Sequence, residues 1–263
     1  MRTFVIANQK GGVGKTTTAI NLGTNLAIQG KKVLLIDLDP QANLSSGVGF
    51  TKSFENTSWA KDQHAQYKNV YDVLINNEPI SSAYVLTNTP NLFLLPSHLS
   101  LAGAEIEMVN LLARETLLKK ALSNFSENID YTIIDCPPSL GLLTINALIA
   151  AEKVIVPIQC EYFALEGLGQ LISTTELIKG INSNLTIGGV VLTMYDSRTK
   201  LAELVVQDVK KYFGDTVFQS IIPRNVRLSE APSHGQSIEE YDPKSTGALA
   251  YRKLAEEFIS RFK

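Results

Sequence analysis

The sequence predicts an α/β protein: one mostly parallel, twisted β-sheet with helices on both faces, in a single domain spanning 1–263. Three observations predict it. Short apolar runs alternate with longer helical patterns, the order expected of strand–helix–strand crossovers. The runs are apolar nearly throughout, as strands covered on both faces are. Glycine-rich and carboxylate-bearing segments follow directly after the runs, where open α/β sheets place their ligands.

In chain order, strands are expected at 3–7, 32–38, 92–96, 131–135, 153–158 and 186–193. Helical patterns lie at 15–29, 104–122, 142–151, 164–179 and 201–213. At the end, Leu249, Leu254, Phe258 and Phe262 recur at helical spacing, with Arg252, Lys253, Glu256, Glu257 and Arg261 opposite. That is an amphipathic helix packed on the domain. The polar stretch 47–91 breaks the rhythm and holds the sole tryptophan, Trp59. Within it, 53–68 reads as a surface insertion and 70–74 as a short helix.

Composition narrows the function classes. With 24 Lys+Arg against 26 Asp+Glu, the net charge of −2 excludes a generally polybasic protein but leaves room for a local basic patch. Cys136 and Cys160 form no CxxC pair and each adjoins an apolar run, so both read as buried small hydrophobes rather than metal or disulfide cysteines. No apolar run approaches the roughly 20 residues of a membrane helix. Met1–Ile6 leads into a motif without a signal-peptide pattern. The expected location is cytoplasmic, with no stable membrane association.

The sharpest motif is Gly11-Gly12-Val13-Gly14-Lys15-Thr16-Thr17, between a strand and a helix. Glycines let successive backbone N–H groups turn toward phosphate oxygens, and the helix N-terminus adds partial positive charge. Lys15 is expected at the β- and γ-phosphates, Thr16 on Mg²⁺ and Thr17 at the α-phosphate. An incidental glycine turn would not place strand, glycines, lysine and threonine in this register. Two carboxylates, Asp37 and Asp39, end the second strand, and two-residue spacing points them the same way in an extended segment. Asp135 ends the apolar run 131–135. A strand-end aspartate is costly to bury without a cation, so Asp135 is a metal candidate. A helix-capping role is the alternative, weakened by Pro137 and Pro138.

The segment Asn8-Gln9-Lys10-Gly11-Gly12-Val13-Gly14-Lys15-Thr16-Thr17-Thr18 closely resembles the deviant Walker A motif of the ParA/MinD ATPases, a branch of the P-loop NTPases. Resemblance to the chromosomal ParA proteins, often called Soj, extends over nearly the whole chain. It includes Cys136-Pro137-Pro138-Ser139-Leu140-Gly141-Leu142-Leu143-Thr144-Ile145-Asn146-Ala147, Gln159-Cys160-Glu161-Tyr162-Phe163-Ala164 and Leu192-Thr193-Met194-Tyr195-Asp196-Ser197-Arg198-Thr199. Trp59 and its neighbours are not covered by the family pattern.

The resemblance implies an ATP- and Mg²⁺-dependent ATPase with slow basal turnover. Lys10 would reach across a homodimer interface to the partner's nucleotide. Asp39 would organise the attacking water, and Asp37 would lie close to the Mg²⁺ shell. Pro223 and Asn225 would contact adenine, and the amide of Asn225 suits a base edge. Family members usually carry glycine where Ala42 stands, a departure expected to affect the loop more than the chemistry. Arg198 and Arg227 would bind double-stranded DNA nonspecifically, while Lys200, Lys210, Lys211 and Arg224 read equally well as ordinary surface. A ParB-type protein would stimulate hydrolysis, and the protein would associate with the nucleoid to move chromosome or plasmid DNA. Other classes compete: a membrane-positioning ATPase of the MinD type, which wants a basic amphipathic C-terminal extension, and a non-catalytic nucleotide-dependent scaffold. The short lead before the ATP loop argues against an added DNA-reading helix-turn-helix.

Overall fold

The computed structural model describes residues 1–50, 67–164 and 168–263. Its strands are β1 (Arg2–Ile6), β2 (Val33–Asp37), β3 (Val85–Leu86), β4 (Leu92–Leu95), β5 (Tyr131–Asp135), β6 (Lys153–Gln159) and β7 (Thr186–Thr193). They form one sheet in the order β3-β4-β2-β5-β1-β6-β7. Every pairing is parallel except the edge pair β3–β4. The expected strands thus lie where the apolar runs placed them. The two-residue β3 carries too little pattern to be read in advance. Of the expected 53–68 insertion, 53–66 lie outside the described residues.

The helices are α1 (Lys15–Ile28), α2 (Asn43–Gly47), α3 (Val70–Ile75), α4 (Leu101–Met108), α5 (Leu117–Ser123), α6 (Leu142–Ala150), α7 (Leu168–Ile178), α8 (Lys200–Phe213), α9 (Val226–Glu230), α10 (Ile238–Tyr241) and α11 (Thr246–Arg261). The single helix expected over 104–122 is instead α4, a 3₁₀ turn at Arg114–Thr116, and α5. Ala113 sits in the left-handed region at φ 53°, which a continuous helix cannot accommodate. Buried Asn146 on α6 holds the break: its Oδ1 accepts from Leu118 N and its Nδ2 donates to Arg114 O.

Strand periodicity of two splits the core into two layers. Phe4, Ile6, Val33, Leu35 and Ile133 face a layer that includes Ile20, Leu22 and Leu26 of α1 and Tyr251, Leu254 and Phe258 of α11. Val5, Leu34, Ile36 and Ile134 face the opposite layer, with residues of α3 through α8. Both faces are buried, which explains why the strands read as continuous apolar runs.

Candidate nucleotide site

Parallel register brings the functional segments to one end of the sheet. Asp135 of β5 lies opposite both Ile6 of β1 and Asp37 of β2. The glycine loop after β1 and all three aspartates therefore share the carboxyl edge.

The loop is fixed before any ligand is considered. Asn8 Nδ2 donates to Pro157 O at 2.7 Å, and Asn8 Oδ1 accepts from Lys10 N at 3.0 Å. Thr193, at the end of β7, donates to Val13 O at 2.9 Å. Gly12 and Gly14 adopt φ of 72° and 88°, the left-handed conformation that glycine takes at little cost. Gly14 precedes α1 without a side-chain cap, so the first N–H groups of this 14-residue helix are left to other partners. Gly11 and Gly12 face open space. Sequence reasoning passed over Asn8 and Thr193, because a lone Asn or Thr acquires its meaning only from a contact made across the fold.

Lys15 is buried, and its Nζ donates to Lys10 O at 3.3 Å. Burial lowers its pKa, while Asp135, Cys136 and Asp39 pull it back up. Thr16 Oγ1 donates to Asp135 Oδ2 at 2.7 Å. Asp135 Oδ1 is buried with no hydrogen-bond partner. Burial first, then the neighbouring Asp37, pushes the Asp135 carboxyl well above the usual range, against the opposing pull of Thr16 and Lys15. A fully buried carboxylate with an orphan oxygen, beside a threonine hydroxyl, suits a hard divalent cation. No cluster of three or more His, Cys, Asp or Glu among the described residues forms a metal cage of its own. That fits Mg²⁺, which commonly takes few protein ligands and completes its shell with phosphate and water.

Asp37 is used differently from expectation. It is fully buried and its carboxyl pKa is raised to about 6, chiefly by burial. Its Oδ1 accepts from Asp39 N at 3.1 Å, and its Oδ2 accepts from Ser45 N at 2.8 Å and Ser45 Oγ at 2.6 Å. Both oxygens therefore hold the loop that carries Asp39. Ala42 in that loop has φ 55°, the left-handed region, so the alanine stands where glycine is conformationally favoured.

A cavity of about 290 Å³ opens beside the loop, lined by Gly14, Thr17, Met194, Pro223, Asn225 and Tyr251 among others. The fold thus gathers the expected adenine residues next to the expected phosphate residues. The Asn225 amide caps α9 by accepting from Arg227 N at 2.8 Å, and its Nδ2 donates to Thr246 Oγ1 at 2.7 Å.

Arg198 and Arg227 are exposed and do not line that cavity. Arg198 makes a two-pronged pair with Asp196, at 2.8 and 2.7 Å, which holds the Asp196 carboxyl down at about 2. Arg227 meets Glu230 at 2.8 Å and Asp242 at 3.7 Å. Both cysteines are buried, and burial pushes the Cys136 thiol well up and the Cys160 thiol to about 12, as expected of inert core residues.

A glycine loop between β1 and α1, its buried lysine and the aspartate ending the adjacent strand define the P-loop nucleoside-triphosphatase class. Residues 1–187 match the family profile described as "AAA domain". The chain is 52% identical over 257 residues to the sporulation initiation inhibitor protein Soj of Bacillus subtilis, covering 97% of each chain. It is 51% identical over 261 residues to the chromosome-partitioning ATPase Soj of Treponema pallidum, covering 99% of this chain and 98% of that one. Among solved structures it resembles a Mycobacterium smegmatis protein described as cobyrinic acid a,c-diamide synthase with bound ATP analog and magnesium. That match has a TM-score of 0.83 and 38% identity, covering 100% of this chain and 96% of that one. This chain belongs to the Soj/ParA family of chromosome-partitioning ATPases.

Proposed function

We propose that this protein is an ATP-driven switch for DNA partitioning: ATP closes a homodimer, the dimer binds DNA without sequence preference, and hydrolysis releases it. The observation that carries the reading is the buried Thr16–Asp135 pair with the orphan Asp135 Oδ1, beside buried Lys15. Together these residues suit a triphosphate and its cation. The identity of 51–52% to the Soj proteins weighs more than the 38% to the protein named as a synthase.

Each residue has a role in this reading. Backbone N–H groups of 11–17 cradle phosphate oxygens, and Lys15 neutralises the β- and γ-phosphates. Thr16 and Asp135 hold Mg²⁺, which when bound neutralises charge developing on the phosphates. Asp39 orients the attacking water. Pro223 and Asn225 border the base in the 290 Å³ cavity. Lys10 is half-buried and makes no ion pair with a described residue, so it is available to a second nucleotide across the dimer. A site that needs its partner's lysine turns over slowly until a second protein, of the ParB type, favours the closed arrangement. The protein acts in the cytoplasm, on the nucleoid. In the dimer, DNA phosphates compete with Asp196 for Arg198, and with Glu230 and Asp242 for Arg227.

DNA binding is the test, measured without nucleotide, with ADP and with ATP across a salt series. The expected result is binding with ATP alone. Arg198→Glu with Arg227→Glu should flatten the log–log salt slope by about 2, one for each lost phosphate contact. Tight ATP binding with no DNA binding in any state would sink the reading.

A further inference from the structure

We propose that Ser97, acting with Ser45, is a positioning residue for ATP hydrolysis, because the two serines fix the main chain that carries Asp39. The inference rests on the reading that Asp39 orients the attacking water.

The observation is a closed chain of buried hydrogen bonds linking three segments. Ser45 on α2 gives its hydroxyl proton to Asp37 Oδ2 at 2.6 Å. Its oxygen is then free to accept, and it takes the N–H of Ser97 at 3.0 Å. Ser97, two residues beyond β4, donates its own hydroxyl to the carbonyl of Asp39 at 2.7 Å. Asp37 closes the chain by accepting from Asp39 N at 3.1 Å. Asp37, Ser45 and Ser97 are all buried.

The consequence falls on Asp39. Its N–H is held by a side chain of its own strand end, and its C=O by a side chain from the loop after the neighbouring strand. Both peptide groups flanking its Cα are thereby pinned. Its Oδ1 accepts from Gln41 N at 2.9 Å, which leaves Oδ2 as the oxygen to aim at a water. Pinning matters because a carboxylate that orients water works only from a narrow range of positions, and a shift of about 1 Å can cost a hundredfold in rate. If these serines only satisfied buried loop groups, their loss would lower stability and leave turnover per folded molecule alone. The link to Asp39 O makes the opposite prediction.

The experiment is ATP turnover by the full chain with Mg²⁺ and DNA, normalised to folded protein by ATP-binding stoichiometry, with thermal midpoints measured in parallel. Four variants are compared with the unmodified chain: Ser97→Ala, Ser97→Cys, Asp39→Ala and the Ser97→Ala/Asp39→Ala pair. Ser97→Ala should lower kcat by about ten- to a hundredfold with KM for ATP little changed. Ser97→Cys, of similar size and a weaker donor, should fall between, and it carries the test should the alanine variant not fold. Adding Ser97→Ala to Asp39→Ala should cost nothing further, because a positioning residue has nothing left to position. An unchanged kcat in Ser97→Ala or Ser97→Cys while Asp39→Ala loses turnover would overturn the role of Ser97. So would an equal loss with and without Asp39. Full turnover in Asp39→Ala would instead overturn the underlying reading of Asp39.

Discussion

At the carboxyl ends of β1, β2 and β5, the groups proposed to meet ATP are held by the protein interior. On the surface around Asp196 and α9, the groups proposed to meet DNA are held only by exposed carboxylates. Lys15, Asp37 and Asp135 are buried, and the loop they serve is tied to β6 and β7 through Asn8 and Thr193. Arg198 leans on Asp196, and Arg227 on Glu230 and Asp242, all in contact with water. The first region carries its shape in the fold, so its chemistry depends on geometry. The second carries only charge on mobile side chains, so its strength depends on salt and on which carboxylate competes. A partitioning switch needs that division: a site exact enough to distinguish ATP from ADP, and a DNA surface loose enough to accept any sequence.

Substitutions sharpen the contrast. The largest effect is expected at Lys15. Lys15→Ala should lower ATP turnover by at least about a hundredfold, as loss of a preorganised charge at a reacting phosphate does; a phosphate-release assay checks it. A smaller and opposite effect is expected at the surface. Asp196→Asn frees Arg198 and should tighten ATP-dependent DNA binding by about two- to fivefold, in line with the modest strength of exposed ion pairs. The gain should fade as salt rises, and weaker binding at every salt concentration would break the comparison. The smallest effect lies in the Asp39 loop. Ala42→Gly relieves a left-handed alanine and should raise unfolding free energy by about 0.5–1 kcal/mol, measured by urea denaturation.

Strands, the glycine loop and the aspartate at the end of β5 were legible in the sequence, because burial on both faces and phosphate binding each impose a local pattern. What escaped was set by distant contacts. The break between α4 and α5 depends on Asn146 reaching Leu118 N and Arg114 O. Thr193 matters to the ATP loop through a bond to Val13, 180 residues away in sequence. Asp37 and Asp39 read as a matched pair from their spacing, yet the fold turns the first into an anchor for the loop of the second. Ser97 carried no signal at all; its role emerges only where the ends of β2 and β4 lie side by side. The ion pairs of Arg198 and Arg227 join residues two and three apart, but a sequence does not tell which carboxylates an exposed arginine will choose.

The claim that joins the two regions is that ATP closes a dimer through Lys10. Sedimentation of the Asp39→Ala chain, in which hydrolysis is blocked, measures it directly, with and without Lys10→Ala, in ADP and in ATP with Mg²⁺. The account predicts a species of twice the chain mass in ATP alone, lost when Lys10 is replaced. A monomer in ATP, or a dimer indifferent to nucleotide and to Lys10, would contradict it.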